Sequence, residues 1–261
     1  MMVKYFKGIW IDRFVLWSLV TRDLQGKYKK SALGVAWSII TPLGLVLIIG
    51  GVYSVIFGAD PKTFIPLLFA GLNPWLFISG SADGGNFAYI NAEGYLKQTT
   101  VNPQIFPLRV VLVGFVNLLY SITAFFAVYL FLQPVLFGPK MLMVFPGLII
   151  ILFFSLALAN IASVMNLHVR DFQPLQSLVF QGLFYATPVI YQASMLYEKG
   201  FSILYRINPF YYILEVVRIP MLGERIPSPY VYMMAIGTTI FLLIISIRMV
   251  MKNNHGIALR L

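Results

Sequence analysis

The sequence predicts an all-α integral membrane protein, and three observations carry that prediction. Hydrophobic residues make up 59% of the 261 residues and charged residues 11%, against roughly 45–50% and about 25% in soluble domains. The apolar residues gather into runs of about 20, the length a helix needs to cross a bilayer. Lysine and arginine cluster between and beyond those runs, the pattern left by retention of basic residues on the cytoplasmic side.

Six segments qualify as spans: 33–57, 64–82, 108–132, 142–166, 174–194 and 230–251. An even number places both termini on one side. With the termini inside, the cytoplasmic segments hold 13 Lys and Arg residues and the outer segments hold six (Lys62, Lys140, Lys199, Arg206, Arg218 and Arg225). The second span is expected to be the weakest, because Pro66, Gly71, Pro74 and Gly80 interrupt it.

Residues 1–31 are too charged to span. They carry seven Lys and Arg against two Asp, and residues 248–261 add three basic groups to the net charge of +10. In a soluble protein this balance would suggest nucleic acid; here it records topology. Tyr5, Phe6, Ile9, Trp10, Phe14, Leu16, Trp17 and Val20 recur every three or four residues. That spacing predicts an amphipathic helix lying in the interface, aromatic face toward the lipid. Simple lipid anchoring would also explain the aromatics and charge, but not a fixed order of charges with Tyr28 among them. Ser31 to Gly34 form the turn into the first span. No clean apolar stretch with a small-residue cleavage site is present, so no secretory signal peptide is expected.

Residues 195–229 hold two apolar-aromatic pieces, 201–207 and 209–219, each too short to span, with Pro209, Pro220, Pro227 and Pro229 among them. Two short re-entrant helices dipping into the outer leaflet before the last span fit this pattern, since broken backbone at membrane depth must pack on protein or line a wet cavity. An outer loop lying on the membrane surface is the alternative. The loop 83–107 faces the cytoplasm. Within it Asn91 to Thr99 is expected to form a short helix with Asn91 as N-cap, and Val101–Pro107 an extended stretch. Together with Asn166 to Pro174 it offers docking points for a separate ATPase, and ordinary loop structure is the other reading.

Several chemistries lack their residues. No G-x-x-x-x-G-K-[ST] phosphate loop and no H-E-x-x-H occur. Without cysteine there is no disulfide or cysteine-ligated metal. His168 and His255 lie near span ends without partner ligands. Buried acids for ion coupling are nearly absent, which disfavours an ion-coupled carrier. A membrane-embedded glycosyl or lipid transferase would want paired carboxylates, and Asp83 with Glu93 is a poor pair. The spans are instead rich in Trp37, Tyr53, Trp75, Phe77, Tyr120, Tyr185 and Tyr191. Individually these suit packing or an interfacial belt; together they are compatible with a path for sugars.

Four stretches in order resemble the permease subunits of type-2 ATP-binding-cassette exporters of bacterial surface polysaccharides. "RDLQGKYKKSALGVAWSIITPL" resembles the entrance motif ending S-x-L-G-x-x-W-x-x-x-x-P. "LLFAGLNPWLFISGS" resembles the second span and "VRDFQPLQSLVFQGLFYATPVIY" the fifth. "INPFYYILEVVR" resembles the outer N-P-x-x-x-x-x-E-x-x-R. The resemblance implies a homodimer of six-span subunits in the bacterial inner membrane, both termini cytoplasmic. Residues 1–31 would be the interfacial helix and 32–261 the transmembrane domain, with the coupling loop at 83–107 and the outer re-entrant region at 195–229. The chain would bind no cofactor; ATP and Mg would sit on two copies of a partner ATPase subunit. The cargo would be an undecaprenyl-diphosphate-linked glycan, O-antigen first, with teichoic acid or capsule as alternatives.

By the same resemblance, Arg22, Lys27, Tyr28, Lys30 and Arg109 would receive the lipid diphosphate, since Lys and Arg pair with phosphate oxygens. Relatives often read "FPR" where this chain has "FPLR", which moves Arg109 one position along. Trp37, Tyr53, Trp75, Phe77, Tyr120 and Tyr185 would line the channel. Pro188, Tyr191, Asn208, Pro209, Glu215 and Arg218 would shape the outer gate. Asn91, Glu93, Tyr95, Lys97, Arg170 and Asp171 would couple to the ATPase.

Overall fold

The structure, a computed structural model, describes every residue except Tyr28, Lys30, Ala32 and His255, and every side chain except those and Lys27, Val35, Phe57, Ala258 and Leu259. Among the described residues all regular elements are helical. They are α1 (Met2–Ile11), α2 (Arg13–Lys27), α3 (Trp37–Phe57), α4 (Pro61–Asn86), α5 (Glu93–Gln98), α6 (Ile105–Leu132), α7 (Val144–His168), α8 (Phe172–Ala186), α9 (Ala193–Glu198), α10 (Ser202–Arg206), α11 (Pro209–Leu222), α12 (Pro229–Asn253) and α13 (Ile257–Arg260), with short 3-10 turns before α3, α5 and α7. Five helices are long and apolar enough to cross a membrane: α3, α4, α6, α7 with its preceding turn, and α12.

Contrary to expectation, α4 is an unbroken 26-residue helix and the most buried of the five. It packs against α3, α6, α7, α8 and α11. Its helix-breaking residues are absorbed by neighbours. Pro66 cannot donate to the carbonyl of Lys62, and Gln133 Nε2 donates to that oxygen instead at 3.2 Å. Gly71 leaves room for the Val189 carbonyl, which a Cβ would overlap. Tertiary contact thus overrides a poor intrinsic helix former.

The predicted span 174–194 is realised differently. Its helix, α8, has 15 residues, roughly 22 Å at 1.5 Å per residue against about 30 Å of hydrocarbon. The chain leaves helical geometry at Thr187 (φ −98, ψ 134), because Pro188 disfavours the α region in the residue before it. Irregular backbone continues to Gln192. The loop 83–107 also differs. The α4 helix runs on to Asn86, Ala92 rather than Asn91 is the N-cap of α5, and the extended stretch is only 99–102 because α6 begins at Ile105. Met2–Ile11 and Arg13–Lys27 form two helices, parted at Asp12 (φ −95, ψ 19).

Two apolar clusters hold the molecule together. One runs along α4, α6, α7 and α11. The other joins α1, α2, the 88–106 segment, the end of α12 and α13, so both chain termini meet at one end of the bundle. The α11 helix enters the first cluster deeply. Phe210 meets Trp75, Phe154 and Phe180 at ring-centroid distances of 5.8, 5.3 and 5.7 Å, halfway along α4, α7 and α8. Its C-terminal end reaches the far end of α6, where the Tyr129 hydroxyl donates to the Leu222 carbonyl at 2.5 Å. Pro220 leaves the Val216 carbonyl without its helical donor, and that oxygen lies against Gly147 of α7, where a Cβ would overlap it.

Gly147→Val is therefore expected to destabilise the folded chain by about 1–3 kcal/mol. Gly94, whose added Cβ would meet nothing within 4 Å, should accept Ala without loss. Thermal unfolding of the detergent-purified variants checks both.

Candidate functional site

At the end holding both termini, α1 and α2 strap the segment that follows α4. The Asp12 carboxylate accepts from the backbone N–H and the Nδ2 of Asn102, both at 2.7 Å. Gln104 Nε2 donates to the Tyr5 carbonyl at 3.4 Å, and the Tyr5 hydroxyl exchanges hydrogen bonds with Asn160 of α7. Burial pushes the Tyr5 and Tyr89 hydroxyls above the ordinary tyrosine range, so both are neutral under any physiological condition. On the outer face of α1 and α2, Trp10, Phe14 and Trp17 are exposed. The Arg13 guanidinium lies over Trp10 and Phe14, 4.6 and 4.4 Å from their centroids. The apolar residues predicted to share one lipid-facing surface divide instead: Trp10, Phe14 and Trp17 lie outward, whereas Tyr5, Leu16 and Val20 are buried in the protein.

Two residues assigned to a lipid-diphosphate entrance have protein partners. Arg22 donates to the Tyr95 hydroxyl at 2.8 Å, with its guanidinium 5.8 Å from the ring centroid. The α2 helix is thereby tied directly to α5. Arg109 is held by both oxygens of Asp23, at 2.5 and 2.7 Å, with both side chains mostly buried. Its fork is filled by a carboxylate, so it is a strut between α6 and α2 rather than an open phosphate ligand. Tyr28, Lys30 and the Lys27 side chain lie outside the described residues.

The proposed coupling residues are dispersed. Glu93 and Lys97 pair with each other at 2.6 Å on the surface of α5. Tyr95 turns toward Arg22 and sits 6.2 Å from the Phe106 ring. Asn91, Arg170 and Asp171 are exposed at this same end.

The aromatic residues separate into two groups. Trp75, 3% exposed, is the hub of a packed cluster with Phe180, Phe184 and Phe210, and Phe77 is buried against Phe115. Trp37 and Tyr185 are exposed, and Tyr53 and Tyr120 half-buried. Trp37 and Phe77 border a cavity of about 530 Å³ between α3, α4 and α6. Trp75 and Tyr185 border a groove of about 440 Å³ between α4 and α8, where Asp83 accepts from Gln176 Nε2 and Ser177 Oγ at 3.3 and 3.4 Å.

The predicted outer-gate residues do converge. Arg218, 4% exposed, pairs with Glu215 and donates to the carbonyls of Pro188 at 2.5 Å and Tyr191 at 3.4 Å. Asn208 caps α11 by accepting from the Phe210 N–H and donates to Thr187 Oγ1 at 2.7 Å; Pro209 occupies the first turn. Two carbonyls of the irregular segment 187–192 are thus bonded by one guanidinium. Sequence reading missed Asp12, Asp23, Asn102, Gln104 and Thr187. Their partners lie 21 to 99 residues away, and no local pattern marks them. The small polar residues around the 530 Å³ cavity were legible, since Asn117 and Ser121 are spaced i, i+4 on an otherwise apolar helix.

Residues 15–222 match the ABC-2 type transporter family. Over 247 residues, 93% of each chain, the sequence is 27% identical to the O-antigen export system permease protein RfbA of Myxococcus xanthus. Two proteins of that name from Klebsiella pneumoniae are 29% identical over 211 and 208 residues, 79% of each chain.

Removing the guanidinium should expose how much the outer segment needs it. Arg218→Met strands the buried Glu215 carboxylate and is expected to cost about 3–5 kcal/mol. Arg218→Lys keeps the charge without the fork and should cost less. Chemical unfolding of the two variants compares them.

Proposed function

The chain belongs to the ABC-2 type transporter family, and from that premise we propose that it is the permease subunit of an ATP-driven exporter that moves undecaprenyl-diphosphate-linked polysaccharide, O-antigen foremost, across the bacterial inner membrane. Teichoic acid and capsule are the alternative cargoes. The observation that carries the reading is the Arg22–Tyr95 contact. It joins the basic end of α2, where an anionic lipid head would arrive, to α5, the element available to an ATPase. The likeness to O-antigen export permeases over nearly the whole chain supports the cargo class.

Six crossings with both termini cytoplasmic are proposed from connectivity. Five spans alone would leave the termini at opposite ends, yet the termini meet in one apolar cluster. The α8 helix with residues 187–192 supplies the missing crossing. It starts beside Asp83 near the end of α4 and reaches Gly71 and the Phe64 end of α4. On this reading α10 and α11 form the re-entrant pair in the outer leaflet, with Phe210 deepest. A homodimer is supported by α3, the least buried of the five long helices, and by the exposed apolar residues Leu175, Leu178 and Val179 of α8, surfaces that a second copy would cover.

The chain itself would bind no nucleotide. ATP and Mg would act on two partner ATPase subunits that dock on α5 and on Arg170 and Asp171. Closure of those subunits would move α5, and the strap through Asp12, Arg22 and Asn102 would carry that motion to α1 and α2. Asp83 and Glu93 have separate partners, which leaves the transferase reading without a carboxylate pair.

Export assays separate recognition from strapping. Arg22→Glu is expected to abolish export while the assembled complex still purifies. Tyr95→Phe removes one hydrogen bond, about 1 kcal/mol, and should retain most export. Equal loss in both would assign Arg22 a purely structural role. A cysteine at Lys97 should crosslink to the co-purifying ATPase, whereas labelling of that cysteine from outside the cell would overturn the topology.

A further inference from the structure

The cavity between α3, α4 and α6 has properties that packing does not account for. Its volume of about 530 Å³ is in the range of ligand sites, roughly 300–1,000 Å³. It is lined by Thr41, Asn73, Ser81, Asn117 and Ser121 among apolar residues, and among the described residues no charged one borders it. In an apolar helix a hydroxyl ordinarily bonds back to a carbonyl three or four residues earlier. Ser79, Thr123 and Thr239 do so, at 3.0, 2.9 and 2.7 Å. Ser81 and Ser121 do not. Each is 3% exposed, each borders the cavity, and neither oxygen has a hydrogen-bond partner.

A buried hydroxyl without a partner costs about 1–3 kcal/mol; both oxygens are enclosed, and turning either side chain into the cavity would let a bound ligand offering hydroxyls remove that cost. Phe77 supplies an apolar ring on the same wall, beside Gly114, where a Cβ would come within 3.3 Å of it. At the mouth Trp37 is 43% exposed, its indole fixed by donation to Ser31 Oγ at 3.1 Å. Neutral hydrogen-bonding groups beside aromatic rings match a sugar ring, which has polar edges and apolar faces. A phosphate would find no cation among the described lining residues, and an acyl chain would leave both serines unpaired.

We propose that this cavity, contained within one protomer, binds an uncharged sugar residue. The proposal rests on the exporter reading only for the source of that sugar. A glycan in transit and the headgroup of a glycolipid offer the same chemistry.

The first test uses the full chain in nanodiscs of phosphatidylethanolamine and phosphatidylglycerol. Methyl maltoside is the neutral probe and methyl glucuronide the charged one. Trp37 reports, as the fluorescence of the wild type minus that of Trp37→Phe. A saturable response to methyl maltoside is expected, with a weaker one to the glucuronide. Ser81→Ala/Ser121→Ala should weaken methyl maltoside binding about tenfold for two lost hydrogen bonds, and Ser79→Ala should leave it unchanged. No saturable response, or one indifferent to the double variant, overturns the proposal and leaves a cavity filled by water or lipid. Neither readout needs export or the ATPase.

A photocrosslinking residue at Leu76, exposed at the cavity wall, identifies the source in cells. A carbohydrate-bearing adduct only in cells making the long glycan assigns the site to exported cargo. The same adduct in cells lacking that glycan assigns it to a glycolipid headgroup, which retains the sugar site while counting against the exporter reading. An adduct without carbohydrate overturns the site.

Discussion

Irregular backbone inside a hydrocarbon layer survives only if protein groups replace the hydrogen bonds that water would make. On the proposed sixth crossing the stretch from Thr187 to Gln192 would impose that demand, and the Arg218 guanidinium donates to the carbonyls of Pro188 and Tyr191 while pairing with Glu215. The rest of the outer half follows from that arrangement. The α11 helix must be buried between α4, α7 and α12 to bring Arg218 into place. Gly71 and Gly147 must lack side chains, because the Val189 and Val216 carbonyls occupy that space. The Trp75 cluster closes the inner end of the same wedge. A buried ion pair is a weak source of stability by itself; its value here is that it fixes a single path for a segment that could otherwise take several.

The opposite end is organised by straps rather than by a wedge. Residues of α1 and α2, with Asp12 between them, bond to positions 95, 102, 104, 109 and 160, so the N-terminal unit is part of the folded body. For an ATP-driven permease this has a mechanical consequence. A push on α5 cannot remain local, because Arg22 and Asn102 connect it to the interface helices before it reaches α6. The Asp23–Arg109 pair then joins α2 to α6 at the same level. Basic residues at the end of a membrane bundle are readily assigned to phosphate recognition; here Arg109 is satisfied internally by Asp23.

The sequence by itself determined the membrane class and the positions of five spans within a few residues. Those features depend on composition and on the length of apolar runs, both local properties. Tertiary structure alone decided the rest. It made α4 the central helix despite Pro66 and Pro74, because Gln133 and Val189 arrive from distant segments to use the space and the free carbonyl. It turned Arg109 from a candidate ligand into half of an ion pair, whereas the end of the predicted fifth span after 15 helical residues is a local effect of Pro188. It also gathered small polar residues of three helices around one cavity. Hydropathy measures how much a segment prefers lipid; it carries no information about which distant group will occupy a missing hydrogen bond or an absent side chain, and those long-range partners fixed the geometry of this protein.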